Sequence, residues 1–290
     1  MGAVALISLG AASAARAQEA GWTPVVDGLA LFQSDAALNG GGGFSANRQY
    51  LRAGALYRNP EGASFGFLLS YGQVQYDFAT PGAAPWGDVN DVSFSAPFRF
   101  RAGDRANVLI APSVRWDGEN GTGAGAMTYG IFAGVSWEIS ERLEIGPAFG
   151  AFSELGNTDV NVFPALLVNW RFADRWRLST STGLGASQGP GLSLSYKASD
   201  VVDLSLIARS ESNRFRLDNV GLAPGGVGED RSLPVVMALQ YQPNPGMTLS
   251  VFAGAELDGR LQLENAAGAV ISRQSYDPAG LVGVSFRLMF

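Results

Sequence analysis

The chain has 290 residues, 47% hydrophobic and 16% charged, with a formal charge of −6. That composition is too apolar for disorder and lacks the basic footprint of a nucleic-acid binder. Cysteine and histidine are both absent, which removes thiol nucleophiles, His/Cys zinc sites and any imidazole base.

In chain order, the first segment is an apolar run over 3–9 followed by small residues ending in Ala15-Arg16-Ala17. This is the h-region and A-x-A pattern of a cleaved signal peptide, residues 1–17, although its n-region carries no Lys or Arg. Past it, no run reaches 18 apolar residues, so a membrane is crossed by strands or not at all. Residues 18–290 read as one domain.

Beyond the leader the chain shows period-2 alternation and no convincing helix. Candidate strands fall near 24–35, 47–58, 63–77, 90–101, 105–117, 126–139, 142–153, 159–172, 176–186, 191–198, 201–214, 231–242, 247–258 and 278–290. MTYGIFAGVSWE sets Met127, Tyr129, Ile131, Ala133, Val135 and Trp137 against Thr128, Gly130, Phe132, Gly134, Ser136 and Glu138. LVGVSFRLMF does the same with Val282, Val284, Phe286, Leu288 and Phe290. Two members are irregular. In the first strand Asp27 falls on the apolar, lipid-facing parity, and in the third Val74, Tyr76 and Phe78 suggest a bulge or register change.

A soluble β-sandwich also alternates, but three features favour a membrane barrel. Several strands exceed ten residues, the length of a tilted membrane strand. Short turns, as at Ala173-Asp174-Arg175, alternate with longer connections near 36–46, 79–89, 117–125, 217–230 and 259–275, the rhythm of short periplasmic turns and longer outer loops. Large aromatics, among them Tyr57, Phe100, Trp137, Trp170, Trp176 and Tyr241, gather beside the short turns, with Trp116, Tyr129 and Tyr71 at the other ends. Two aromatic bands describe a membrane slab. The expected fold is an all-β transmembrane antiparallel β-barrel of about 14 strands, with 12 as the fallback count and no plug domain.

On these residues the chain resembles the bacterial outer-membrane β-barrels, porin-like and without an assigned subfamily. FRLMF, ending at Phe290, is similar to their assembly signal. The resemblance implies that Phe286, Leu288 and Phe290 are read by the barrel assembly machinery. It also implies that the protein lies among the lipid and lipopolysaccharide of a Gram-negative outer membrane.

Little points to catalysis or to a cofactor. Glu138, Glu144, Glu211, Glu256 and Asp258 are acids in principle, but their alternating inward positions read as ion pairs with arginines across a lumen. The Gly-rich stretches 40–43 and 121–125 have neither the following helix nor the Lys of a phosphate loop. Asp218, Glu229 and Asp230 lack calcium-loop spacing, so no metal is assigned. Inward parity gives the pore-lining set Arg52, Arg99, Arg101, Arg105, Arg115, Glu138, Arg142, Glu144, Arg171, Arg177, Lys197, Arg209, Glu256 and Arg287. The expectation is a passive channel for small hydrophilic solutes, not an enzyme. The alternative is a structural or surface-interaction barrel with a lumen filled by side chains.

Overall fold

A computed structural model describes residues 20–80, 82–156, 159–180 and 191–290. The expected leader, and part of the strand expected at 176–186, lie outside them. Strands begin with β1 (Gly21–Ala37), β2 (Gly43–Arg58), β3 (Ser64–Ala79), β4 (Val89–Ser95), β5 (Phe98–Ala102) and β6 (Ala106–Glu119). They continue with β7 (Met127–Ser140), β8 (Leu143–Ser153), β9 (Val160–Ala173), β10 (Trp176–Thr180), β11 (Gly191–Lys197) and β12 (Val202–Arg209). The last are β13 (Glu211–Arg216), β14 (Val227–Asn244), β15 (Met247–Glu264), β16 (Val270–Tyr276) and β17 (Ala279–Met289).

These segments close into an antiparallel barrel of 14 staves, the count expected from the alternation. Closure comes from β1, which pairs with both β2 and β17. The surplus segments arise because three staves are interrupted. β4 and β5 both span from β3 to β6, β12 and β13 both pair with β14, and β16 and β17 both pair with β15. Two of the breaks, at Pro97 and Pro278, fall where proline removes a ladder donor.

The barrel has two storeys of opposite polarity. In the lower one apolar side chains face out. On β1 the outward residues run from Trp22 to Phe32, and ten steps of tilted strand span about 25 Å, the height of a hydrocarbon belt. Near the short turns, Trp22 packs against Tyr57 and Phe65, and Trp176 against Phe172 and Tyr196. At the far edge of the belt stand the exposed rings of Tyr71, Trp116 and Tyr129. On β17, Val282, Val284, Phe286 and Leu288 face out, with exposed Phe290 just beyond its end, while Leu281 and Ser285 are buried inside.

In the upper storey the polarity reverses. Asn47, Gln49, Gln75, Asp77, Arg231 and Arg260 are exposed on the outside. Inside lies an apolar core of Phe44, Ala46, Val74, Phe215, Leu261, Leu263 and Tyr276, to which Trp86, Leu217 and Ala223 are added by the connecting loops. On β1 and β15 the reversal is accompanied by a bulge. Ser34 and Asp35 interrupt the β1–β2 register between Gln33 and Ala36, and Asp258, with φ of 50°, sits where the β14–β15 register shifts. An extra residue exchanges the two faces of a strand. Phe252 and Glu256 therefore point inward below the bulge, and Leu261 and Leu263 above it. On the same inward face, Gly259 leaves the space that the ring of its cross-strand partner Tyr276 fills.

Four expectations are corrected. Asp27 does not face lipid: odd residues of β1 point inward, so Val25, Leu29 and Leu31 are interior and Trp22 joins the aromatic band beside the short turns. β3 has no bulge; its pairing with β2 runs unbroken from Ser64 to Ala79, and Val74, Tyr76 and Phe78 continue its inward face into the upper core. The 259–275 connection is mostly strand, with only residues 265–269 between β15 and β16. The 217–230 connection shortens to 217–226, and its Leu217 and Ala223 are buried.

Candidate functional site: the barrel interior

Side chains that alternation turns inward in the lower storey meet in a confined, partly dry space, so charge must find charge. Asp27 of β1 accepts Arg52 of β2 on Oδ2, from Nε at 2.9 Å and Nη2 at 2.6 Å, and Arg287 of β17 on Oδ1 at 2.6 Å. Arg115 of β6 pairs with Asp91 of β4 and, through Nε at 3.0 Å, with Asp117. Arg209 pairs with Glu211 across the break between β12 and β13.

The most extensive network lies at the boundary between storeys. Arg48 of β2 donates through Nη1 to Glu256 of β15, and through Nη2 to Gln33 at 2.9 Å and Asp230 of β14 at 3.1 Å. The Tyr76 hydroxyl donates to Asp230 at 3.0 Å, and Tyr276 to the other Asp230 oxygen at 3.2 Å. Arg48, Asp230 and Tyr276 were not in the expected pore-lining set. Arg48 was nevertheless legible: it shares inward parity with Arg52 on β2, whereas Asp230 lies in the expected 217–230 connection and Tyr276 between the expected 259–275 connection and the last strand.

The other expected residues separate by height. Arg99, Glu144 and Arg177 are half-buried on the inner wall. Arg101 pairs with Glu138 at 2.9 Å where both are solvent-exposed, and Lys197 pairs with Asp200 at 3.1 Å. Arg105 and Arg142 lie in turns at the rim, Arg142 paired with Asp174 at 3.0 Å. Arg171 donates to the Glu141 carbonyl at 3.0 Å. Phe286 and Leu288 share the outer face, with Phe290 just beyond the end of β17 and Phe286 laid over Gly28 of β1.

The candidate acids do not converge. Glu138, Glu211 and Glu256 are engaged by arginines, Glu144 accepts from Asn107 and Ser136, and Asp258 occupies the exposed outer bulge rather than an inward position. Asp218 caps its own turn through Val220 N–H, while Glu229 pairs with Arg214 and Asp230 with Arg48. No group of three or more potential metal ligands is present among the described residues.

The interior is lopsided. On β1, β2, β14 and β15, inward Leu29, Gln33, Arg48, Arg52, Asp230 and Glu256 are sealed. On β9, inward Asn161, Phe163, Ala165, Leu167 and Asn169 all keep accessible surface, as do Arg177 of β10, Ser195 of β11 and Asp203 of β12. The β9 face is less tightly filled than the opposite one, its Phe163, Ala165 and Leu167 only partly buried against the Leu109, Phe132 and Phe152 cluster.

A closed antiparallel ring with an apolar outer belt, aromatic bands at both edges and charge turned inward defines the protein as a transmembrane β-barrel. No family model matches the chain, and no curated protein matches it. Among solved structures it is similar to an outer-membrane channel from Pseudomonas putida F1, at 13% identity and a TM-score of 0.49 over 94% of this chain and 96% of that one. It is also similar to a FadL homologue from Pseudomonas aeruginosa (12% identity, TM-score 0.43, 93% of this chain and 89% of that one). The NanC porin matches at 12% identity with a TM-score of 0.37, over 90% of this chain and 98% of that one.

Proposed function

We propose that the protein is a barrel of the Gram-negative outer membrane that passes small hydrophilic solutes along the β8–β12 wall. The observation that carries this reading is the accessible inner face of β9. Inward residues across the interior on β1, β2, β14 and β15 are sealed, whereas Asn161, Phe163, Ala165, Leu167 and Asn169 retain accessible surface, which supports a looser side of the interior there. A path there runs past Asn169, Ser195 and Asp203 and leaves by the short turns. No cofactor enters the proposal, and transport needs no catalytic group.

The test is conductance of the purified barrel in a planar bilayer, joined to swelling of proteoliposomes in neutral sugars of increasing size. Discrete openings, with swelling that falls off above a size limit, are the expected result. A second reading, a closed barrel that displays its outer storey to a partner, draws on the apolar core and the Arg48 network that fill the opposite side of the interior. Absence of both conductance and swelling would favour it and refute the channel.

A further inference from the structure

We propose that Arg231 of β14 and Arg260 of β15, joined by Arg273 of β16, form a docking site on the outer surface of the barrel for the phosphate headgroup of a lipid A molecule in the outer leaflet. The proposal rests on the reading of the protein as an outer-membrane barrel with its short turns in the periplasm.

The register brings the three arginines together. Arg231 and Arg260 are direct cross-strand partners, both exposed on the same outer face. Arg260 also faces Ser275 of β16, which sets it one diagonal step from exposed Arg273. Direct partners stand about 5 Å apart and diagonal ones about 7–8 Å, so all three side chains reach a single phosphate. Like charges directly opposite one another repel, and neither Arg231 nor Arg260 has a hydrogen bond or ion pair among the described residues. Arg273 gives only Nε to Gln262 Oε1, at 2.8 Å. Glu229 and Glu264, further up the same strands, are already held by Arg214. Asp258, exposed in the adjoining bulge, and Asp277, exposed just past Tyr276, oppose the positive field without pairing to it.

Height decides the partner. From Tyr241, beside the short turns, to Arg231 is ten steps of tilted strand, about 25 Å, so the guanidinium groups stand at the opposite edge of the hydrocarbon belt. Immediately beneath them lie the cross-strand partners Leu233 and Leu257 on the outer face, followed by Val235 and Met237. A ligand seated here meets cations above and hydrocarbon below, which is the chemistry of a phosphorylated lipid; a free anion would use the arginines alone. Planar guanidinium forks match the oxygens of a phosphate monoester. One phosphate bridging two facing arginines also relieves their repulsion.

The experiment is urea unfolding in phosphatidylcholine vesicles, alone and with a minor fraction of diphosphorylated lipid A, followed by tryptophan fluorescence. Lipid A should raise the unfolding midpoint of the parent. Arg231→Gln and Arg260→Gln should each lose most of that rise. In phosphatidylcholine alone neither variant should unfold earlier than the parent, because each removes a like-charge contact; a lower midpoint there would give these arginines a structural role and overturn the site. Asp258→Asn, which tolerates the same φ of 50°, should enlarge the rise. No rise in the parent, an equal rise in both arginine variants, or the same rise with dephosphorylated lipid A would also overturn it. A rise produced by inorganic phosphate without lipid A would refute the lipid as its occupant. Unfolding is read without conduction, so the two proposals fail separately. A barrel that conducts but shows no lipid A shift refutes only the docking site, and one that shifts but passes no current refutes only the channel.

Discussion

Replacing Arg48 with Met removes the guanidinium that Glu256 and Asp230 share. Glu256 is 0% exposed and Asp230 2%, so neither carboxylate rehydrates without opening the barrel. Tyr76 and Tyr276 still donate to them but carry no compensating charge. Breaking one buried pair costs about 3–5 kcal/mol, and two stranded carboxylates put the expectation at about 5 kcal/mol. Arg48→Met with Glu256→Gln strands only one, so the double variant should regain roughly half of the loss, a coupling that separates the charge effect from lost packing. The assay is urea unfolding of the barrel in phosphatidylcholine vesicles, followed by tryptophan fluorescence. Trp86, packed edge-on against Phe215 at 5.1 Å, reports on the upper core directly. If Arg48→Met unfolds within about 1 kcal/mol of the parent at equal m, the network is not what joins the storeys.

Val284, half-exposed on the outer face between Ala30 and Val251, should cost about 2–4 kcal/mol when changed to Arg, as expected for a cation at the bilayer midplane; an unchanged unfolding midpoint would refute the lipid-facing assignment. Gly259→Ala would place a methyl inside the Tyr276 ring and should destabilise by about 1–3 kcal/mol in the same assay. An epitope tag at Val220, 69% exposed in the β13–β14 connection, should be labelled on intact cells, and a tag at Asp174 should not; labelling of Asp174 alone would invert the topology.

The lower storey was largely legible because lipid outside and charge inside produce alternation of full contrast, as on β7 and β17. The stave count and the aromatic bands derive from it. Where both faces are apolar the contrast vanishes. On β1 the inward Val25, Leu29 and Leu31 look like a lipid face, and the outward Ala30 and Gly28 look like a lumen. The upper storey was missed for a different reason. A bulge shifts the phase of alternation within one strand, so Leu261 and Leu263 fall out of step with Phe252 and Glu256, and the segment reads as a loop. The looser packing of the β9 face needed the structure, since accessibility depends on which staves face each other across the interior.

The upper core draws its side chains from the two ends of the chain: Phe44 and Val74 from early strands, Phe215, Leu261 and Tyr276 from late ones. The ring's closing joint, β1 against β17, runs beneath it, and Arg48 reaches Glu256 across a sequence separation of 208 residues. A chain inserted in order from its beginning holds one half of this core uncovered until its last hairpins are in place. Contacts of such long range form late. Ring closure and burial of the core are thus one event. The first strands are held in a closed ring only when the final ones pair with them, and a chain truncated before β15 should remain an open, adhesive sheet.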